Sequence, residues 1–486
     1  MKFWTYCIFS VLLVGLSACS TSTLFTSYPD KMGPNLSAIK QGQYQTSIAS
    51  LSIEQKSNDY ELYAAELGRT EQLAFNYAKS SATYLPLIST VEADQLQAKI
   101  QGRKVLVNSA SLLSNDNLIP YKLAAYEIIY LYQYQALNFI AQGDLQNALV
   151  AARKANDLQG FLASQYQQEL AAAQDLAQKN NFDQKLIDHT HAELNARLTA
   201  LADVKNAFQN AMSYYLSGIL FLASGDNNDA AVAFQQAIEI MPQNTYLQTM
   251  LLNTMQNQGG STSKLQNYQQ AFGLKTLPTP PQNKALVTVM YEQNFVAEKV
   301  PVTLPIYLPK LQQVQTISFP TYPKTTPAIT PLHVSIVDND STRMLSDTEL
   351  MLNTNALAAK DLMQNYPIIF VREALRVMTK AGITAAISKG ANNDNDDDRG
   401  NSGAAIAAII LQAYSIFSDR PDLRSWLTLP QDIQIAQYSI SPGTYQVNLS
   451  NNNLTLSLPL TLAANRYYLI WVTQYGKEMK AQAFPL

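Results

Sequence analysis

Apolar and small residues in the first half of the chain recur in steps of three and four. Tyr214, Gly218, Phe221, Gly225, Ala230, Phe234, Ala237 and Pro242 follow one another at spacings of 4, 3, 4, 5, 4, 3 and 5, and Tyr132, Ala136, Phe139, Gly143, Ala148, Ala152, Ala155 and Gly160 repeat them. Steps of three and four keep side chains on one helix face, so each set predicts an antiparallel helix pair. Small residues at Gly218, Ala230 and Ala237 permit close helix approach, Gly143-Asp144 and Gly225-Asp226 make the turns, and Pro242 stops the second helix. A weaker copy runs through Leu67-Gly68, Phe75, Ser80 and Tyr84, and Gly42-Gln43-Tyr44 turns a still more degenerate one. Between the two clear copies, Leu162, Tyr166, Leu170 and Ala173, then Ile187, Leu194, Leu198 and Leu201, lie at helical spacing around Asn180-Asn181. They predict a long helical hairpin projecting from the array over about 161–208.

These spacings resemble the tetratricopeptide repeat (TPR), most closely around Gly218 to Pro242, with Tyr214 in place of the usual Trp and Ser217 in place of Leu. The resemblance implies a solenoid over 28–256 whose concave groove holds a peptide or a partner protein. The bland alternative is a spacer between membrane and C-terminal domain.

Proline marks a change of regime, because ten of the 21 prolines fall between Pro278 and Pro331. A linker is expected over 257–284, followed by strands in "ALVTVMYE", "PVTLPIYL", "PLHVSIVD", "IQIAQYSI", "TYQVNLS", "LTLSLPLTL" and "YYLIWVTQY". Alternation such as Tyr445, Val447 and Leu449 predicts a half-buried antiparallel sheet. Between the strand groups, Ser346 and Glu349 read as a capping box opening a helix through about Gln364, Pro367 restarts a helix through about Ser388, and Gly403 to Phe417 makes a third. The expected fold is α+β and multidomain: an N-terminal all-α TPR-like solenoid, then a smaller antiparallel β-sandwich-like domain over 285–486 with a helical insertion over about 346–417.

The N-terminus adds a location. Lys2, an apolar run from Phe3 to Leu16, and Leu16-Ser17-Ala18-Cys19 have the layout of a bacterial lipoprotein signal, cleaved between Ala18 and Cys19. Residues 1–18 are then the signal peptide, Cys19 carries the lipid, and 19–27 form a tether. Ser20 replaces the aspartate that favours inner-membrane retention, so the expectation is an outer-membrane lipid anchor facing the periplasm. Cys7 leaves with the signal, so no disulfide is expected. A net charge of -3 lacks the basic footprint of a nucleic-acid binder.

Catalytic patterns are missing. No free thiol survives maturation, His189 and His191 do not share a helix face, and His333 lies far along the chain. "NNDNDDDRG" (392–400) puts Arg399 where a calcium loop needs glycine and Ala405 where it needs glutamate, and reads as a solvated linker. Glu373, Asp419 and Asp422 are the carboxylates from which a glycan-cleaving pair could be drawn. No enzyme, cofactor or metal is expected.

The lipobox, the TPR-like helices, the proline-rich shift to strands and the motifs "RSWLTLP" and "PGTYQVNL" together resemble an uncharacterised family of Gram-negative outer-membrane lipoproteins. Its members look similar in being encoded near lipoproteins that stimulate peptidoglycan synthases. The resemblance marks Arg424, Ser425, Trp426, Leu429 and Pro430 as a candidate functional patch, the alternative being a structural corner with Trp426 as core filler and Arg424 bonded to nearby carboxylates or carbonyls. The functional expectation is a periplasmic scaffold or adaptor binding an envelope protein or peptide. The alternatives are a peptidoglycan-directed hydrolase and a surface-displayed adhesin.

Overall fold

The computed structural model describes residues 26–51, 58–101, 119–180, 182, 184–199, 201–259, 261–308, 311–338, 341–392, 420–452 and 454–486. The signal and Cys19, the acidic run after Asn392, Asp419 and the 403–417 helix lie outside them.

The first half is a series of helix pairs: α1 (Tyr28–Lys40) with α2 (Tyr44–Ser50), α3 (Tyr60–Leu73) with α4 (Tyr77–Gln101), and α5 (Ala125–Ala141) with α6 (Leu145–Lys179). After α7 (Gln184–Leu198) come α8 (Ala211–Ala223) with α9 (Asn227–Ile240), and α10 (Thr245–Asn257) with α11 (Thr262–Ala271). The turns of four pairs share one bonding pattern, in which an N–H reaches back to the carbonyl five residues earlier: Gln43 to Ala38, Asn76 to Glu71, Asp144 to Phe139 and Asp226 to Phe221. That is the Schellman closure, which needs a left-handed residue just before the donor. Gly42, Gly143 and Gly225 supply it, and Phe75 does so in the second pair with φ 66°.

Inter-helix contact repeats as well. A Cβ on Gly218 would stand 2.4 Å from the Phe234 ring, and one on Gly68 would stand 2.2 Å from the Tyr84 ring. At the matching place in the α5/α6 pair the partners are Ala136 and Ala152, both buried. Two alanines there replace a glycine and an aromatic ring, which preserves close packing with different residues.

The second half holds a 5-stranded sheet ordered β11-β10-β1-β7-β6 and a 4-stranded sheet ordered β5-β4-β8-β9. The strands are β1 (Ala285–Phe295), β4 (His333–Asp338), β5 (Ser341–Met344), β6 (Glu349–Asn353), β7 (Pro430–Ile440), β8 (Gly443–Asn451), β9 (Leu454–Leu462), β10 (Tyr467–Tyr475) and β11 (Glu478–Pro485). A separate hairpin is formed by β2 (Val300–Leu308) and β3 (Gln313–Thr321). Pairing is antiparallel except between β1 and β10, which run parallel. Val287, Val289 and Tyr291 of β1 join Val334, Val447 and Leu460 in the core between the sheets. The alternate β1 position Met290, with Ile433, Ile435 and Trp471, enters the core formed with the helices. The larger sheet is therefore buried on both faces, with helices over one and the smaller sheet over the other.

Several expectations are corrected. Ser346 and Glu349 do not open a helix. Residues 349–353 pair with β7, and α12 (Thr354–Asn392) begins after Asn353, whose side chain accepts from the Ala356 N–H at 3.1 Å. Strand pairing overrides a local capping pattern there, and the Glu349 carboxylate instead accepts from the Thr245 N–H at 2.6 Å. Pro367 does not divide α12. A proline in a helix deprives the carbonyl four residues earlier of its donor, here Met363, and that oxygen lies 3.1 Å from His191 Nε2. The α6/α7 hairpin thus packs on α12 rather than projecting freely, and Tyr166 Oη adds a 2.9 Å bond to the Gln364 carbonyl. Gly160, at the place Pro242 holds in the other copy, lies inside the continuous α6. The segment read as a linker contains α11. Among the described residues, no helix is long and apolar enough to cross a membrane.

Candidate functional site

The first helices of the pairs, α3, α5 and α8, face the chain's own second half. Tyr215 Oη on α8 lies 3.4 Å from Thr288 Oγ1 on β1, and Tyr134 Oη on α5 donates to Glu292 Oε1 at 3.2 Å. Arg69 on α3 pairs with the Glu292 carboxylate, donates to Tyr475 Oη at 2.9 Å and Gln72 Oε1 at 2.8 Å, and lies 4.1 Å from the Tyr134 ring centroid. Both charges are fully buried. Burial pushes the Glu292 carboxyl above its ordinary range, with the Arg69 guanidinium opposing the shift. Buried charges persist only when paired and hydrogen-bonded, as these are.

The motif segment 422–430 runs through this junction as an irregular strap before joining β7. Arg424 is held on two sides: Nη1 donates to Asp59 Oδ1 at 2.7 Å and to the Ile119 carbonyl at 3.0 Å, while Nη2 and Nε donate to the two Asp422 oxygens at 2.7 and 2.9 Å. Burial alone would raise the Asp422 carboxyl, but the Arg424 guanidinium holds it down at about 2. Three successive main-chain N–H groups then point into carboxylates. Trp426 donates to Glu127 Oε1 at 2.8 Å, Leu427 to Glu66 Oε1 at 2.7 Å and Thr428 to Glu66 Oε2 at 3.0 Å. The Trp426 ring is 0% exposed and meets Tyr84 and Tyr134 edge-on at 6.1 and 6.0 Å. Its Nε1 donates to Thr428 Oγ1 at 2.9 Å.

Glu66 is fully enclosed, and burial raises its carboxyl to about 7 against the downward pull of the strap's hydrogen bonds and Tyr28. Tyr28 Oη donates to it at 3.1 Å, and Tyr121 Oη donates to Glu127 at 2.7 Å.

Arg424, Ser425, Trp426, Leu429 and Pro430 are thus gathered in one place, but they are buried and offer no accessible surface. The patch has the geometry of a corner: Trp426 fills the core, and Arg424 bonds carboxylates and a carbonyl. Of the carboxylates considered for catalysis, Glu373 is bound by Arg376 Nη1 at 2.7 Å on both oxygens, far along the chain from Asp422 and its Arg424. His333 Nδ1 lies 2.8 Å from Asp347 Oδ1. Among the described residues, no group of three or more His, Cys, Asp or Glu is placed to hold a metal ion.

Sequence reasoning missed Glu66, Arg69, Glu127 and Glu292. For two of them a signal was present: Glu127 interrupts the run "AYEIIYLY", and Glu292 follows the mostly apolar run "ALVTVMY".

No protein-family model and no curated protein matches the chain. Among solved structures, BtubC from P. vanneervenii is similar at 11% identity over 52% of this chain and 93% of its own, with a TM-score of 0.19. A tetratricopeptide repeat protein from Parabacteroides merdae is similar at 13% identity over 46% of this chain and 97% of its own, with a TM-score of 0.12. At those TM-scores neither likeness carries an argument, and the repeat character rests on the shared turns and helix contacts.

Proposed function

We propose that this chain is a non-enzymatic scaffold of the bacterial envelope, anchored in the outer membrane through lipidated Cys19, facing the periplasm and binding an envelope protein or peptide. The observation that carries the reading is the repeat geometry itself, stacked helix pairs closed by one recurring turn and stiffened by a sheet. Repeat stacks of this kind serve as binding frames. While the sheet and the seated strap fill the inner face, the outer helices are the surface a partner meets first. Val150 on α6 and Val232 on α9, at matching places in their repeats, are 58% and 53% exposed there.

Acyl chains confine the protein to a membrane and raise its effective concentration for neighbours. The peptidoglycan link implied by the resemblance makes a murein synthase or its activator the class of partner to seek. The direct experiment places a photo-crosslinking residue at Val150 and at Val232 in cells and compares the chain with its Cys19→Ala variant. The same envelope protein captured at both positions, and lost when Cys19→Ala leaves the outer-membrane fraction, is the expected result. Capture of nothing specific at either position, or outer-membrane fractionation of the Cys19→Ala protein, overturns the reading.

A further inference from the structure

The strap contacts the repeats as a bound ligand would. It crosses two successive repeats, meeting Asp59 at the start of one and Glu127 at the matching place in the next, with Glu66 between. Recognition combines three elements: an arginine held by Asp59 and the Ile119 carbonyl, with the strap's own Asp422 on its other side, main-chain amides read by carboxylates, and one tryptophan in a tyrosine-lined box. The Trp426, Leu427 and Thr428 amides donate to side chains of the helical half rather than to a sheet ladder, while the second half holds the strap's flanks, through Lys299 Nζ on the Arg424 carbonyl at 2.9 Å and the Val296 N–H on the Leu429 carbonyl at 2.9 Å.

We infer that the groove formed by Asp59, Glu66, Glu127, Tyr84 and Tyr134 is a peptide site kept closed by the chain's own 422–428 segment. Its specificity is for an extended Arg-x-Trp-Leu peptide, and a partner peptide of that chemistry enters when the strap opens. The inference rests on the scaffold reading and adds to it a ligand class and a gate. Opening of 422–428 breaks the carboxylate bonds to its amides and the Lys299 bond to the Arg424 carbonyl and uncovers a fully buried tryptophan, but it leaves the ladders of β1, β7 and β10 intact. A peptide competing for the site meets a groove already complementary to it, so little reorganisation opposes binding once the gate is open.

Two measurements on the purified full chain test this. In hydrogen exchange of the wild type, the amides of Trp426, Leu427 and Thr428 are expected to exchange about 100-fold or more faster than those of Ile433 and Ile435 in β7. Exchange of both groups together at the global rate overturns the gate and reduces the strap to ordinary core. Second, a labelled peptide Asp-Leu-Arg-Ser-Trp-Leu-Thr-Leu is titrated into the Trp426→Gly chain. Saturable binding at about micromolar concentration is expected, with loss of binding when alanine replaces the peptide's tryptophan. A folded Trp426→Gly chain that ignores the peptide overturns the inference; if that variant does not fold, the exchange measurement decides. Neither assay involves an envelope partner, so their failure leaves the outer-face crosslinking result standing.

Discussion

Lys480 and Phe75 meet where β11 reaches the second repeat turn. The ammonium lies 3.8 Å from the Phe75 ring centroid and 4.4 Å from that of Tyr44, and donates to the Leu73 carbonyl at 2.6 Å. This accounts for a phenylalanine at a left-handed position that the other repeat turns give to glycine. A double-mutant cycle with Phe75→Ala and Lys480→Ala is expected to show a coupling of about 1 kcal/mol by urea unfolding. Burial also lowers the Lys480 pKa to about 8, with Glu478 opposing. The folded state therefore prefers the neutral amine, and the penalty for burying its charge is relieved as pH rises from about 8 toward 10.5. Lys480→Met should differ from wild type in its pH dependence within that window.

His191 offers a check on the proline in α12. In the tautomer protonated on Nε2, His191 supplies the Met363 carbonyl with the donor that Pro367 lacks, and removing the ring takes that donor away. His191→Ala is expected to cost about 1–3 kcal/mol by calorimetry, and restoring the amide with Pro367→Ala should make the histidine largely dispensable.

Protonation of the junction gives a pH signature. Burial raises Glu66 and Asp361 to about 7 and Asp432 to about 6. Lys299 opposes the shift at Asp361, and Gln434 and Gln293 oppose it at Asp432. Each folded value exceeds the ordinary 4.5 or 3.8, so the folded state binds protons more tightly. Their contribution is full below those ordinary values and is lost as pH rises through about 6 to 7. The urea midpoint should be higher at about pH 5 than at about pH 8. The combined variant Glu66→Gln, Asp361→Asn, Asp432→Asn should flatten the difference.

Within the strap, neighbours should behave oppositely. Trp426→Ala opens a cavity beside Tyr84 and Tyr134 and is expected to cost about 3–5 kcal/mol. Ser425→Ala removes a buried hydroxyl that makes no hydrogen bond within the protein, and should fall within about 0.5 kcal/mol of wild type. Thermal unfolding of the two variants separates a framework role from a general sensitivity of the segment.

Glycines in the array should divide similarly. Gly160 lies in the interior of α6 with nothing within 4 Å of an added Cβ, so Gly160→Ala is expected to stabilise by about 0.5–1 kcal/mol. Gly218→Ala drives a methyl group into the Phe234 ring and should destabilise by about 1–3 kcal/mol. Melting temperatures moving in opposite directions are the expected readout.

The helix pairs were legible because spacing, turn glycines and small residues all report one local geometry, and β1, β2, β4, β7, β8, β9 and β10 were legible as runs rich in β-branched and aromatic residues, with alternation plain in β8. What escaped depends on distant partners. Glu349 and Ser346 satisfy a capping pattern, yet β7 recruits those residues as a strand; Pro367 looks like a break until His191 is seen beside it. The repeat motif implies an open inner face because it carries no sign of a sheet supplied later in the chain. The strap motif was visible as a cluster of unusual residues, but its anchors Glu66 and Glu127 lie some 300 to 360 positions away, a separation that no local pattern records.

A repeat array is ordinarily free to lengthen or shorten by whole units, since each unit touches only its neighbours. Here the inner helices rest on a sheet of fixed width, with Arg69, Tyr134, Tyr215 and Tyr246 each committed to a particular strand or its flank. Inserting or deleting one unit would shift every later helix off its strand. Even the long α6 with α7 is tied to α12 of the second half, so the number of units in this array is set by its own second half.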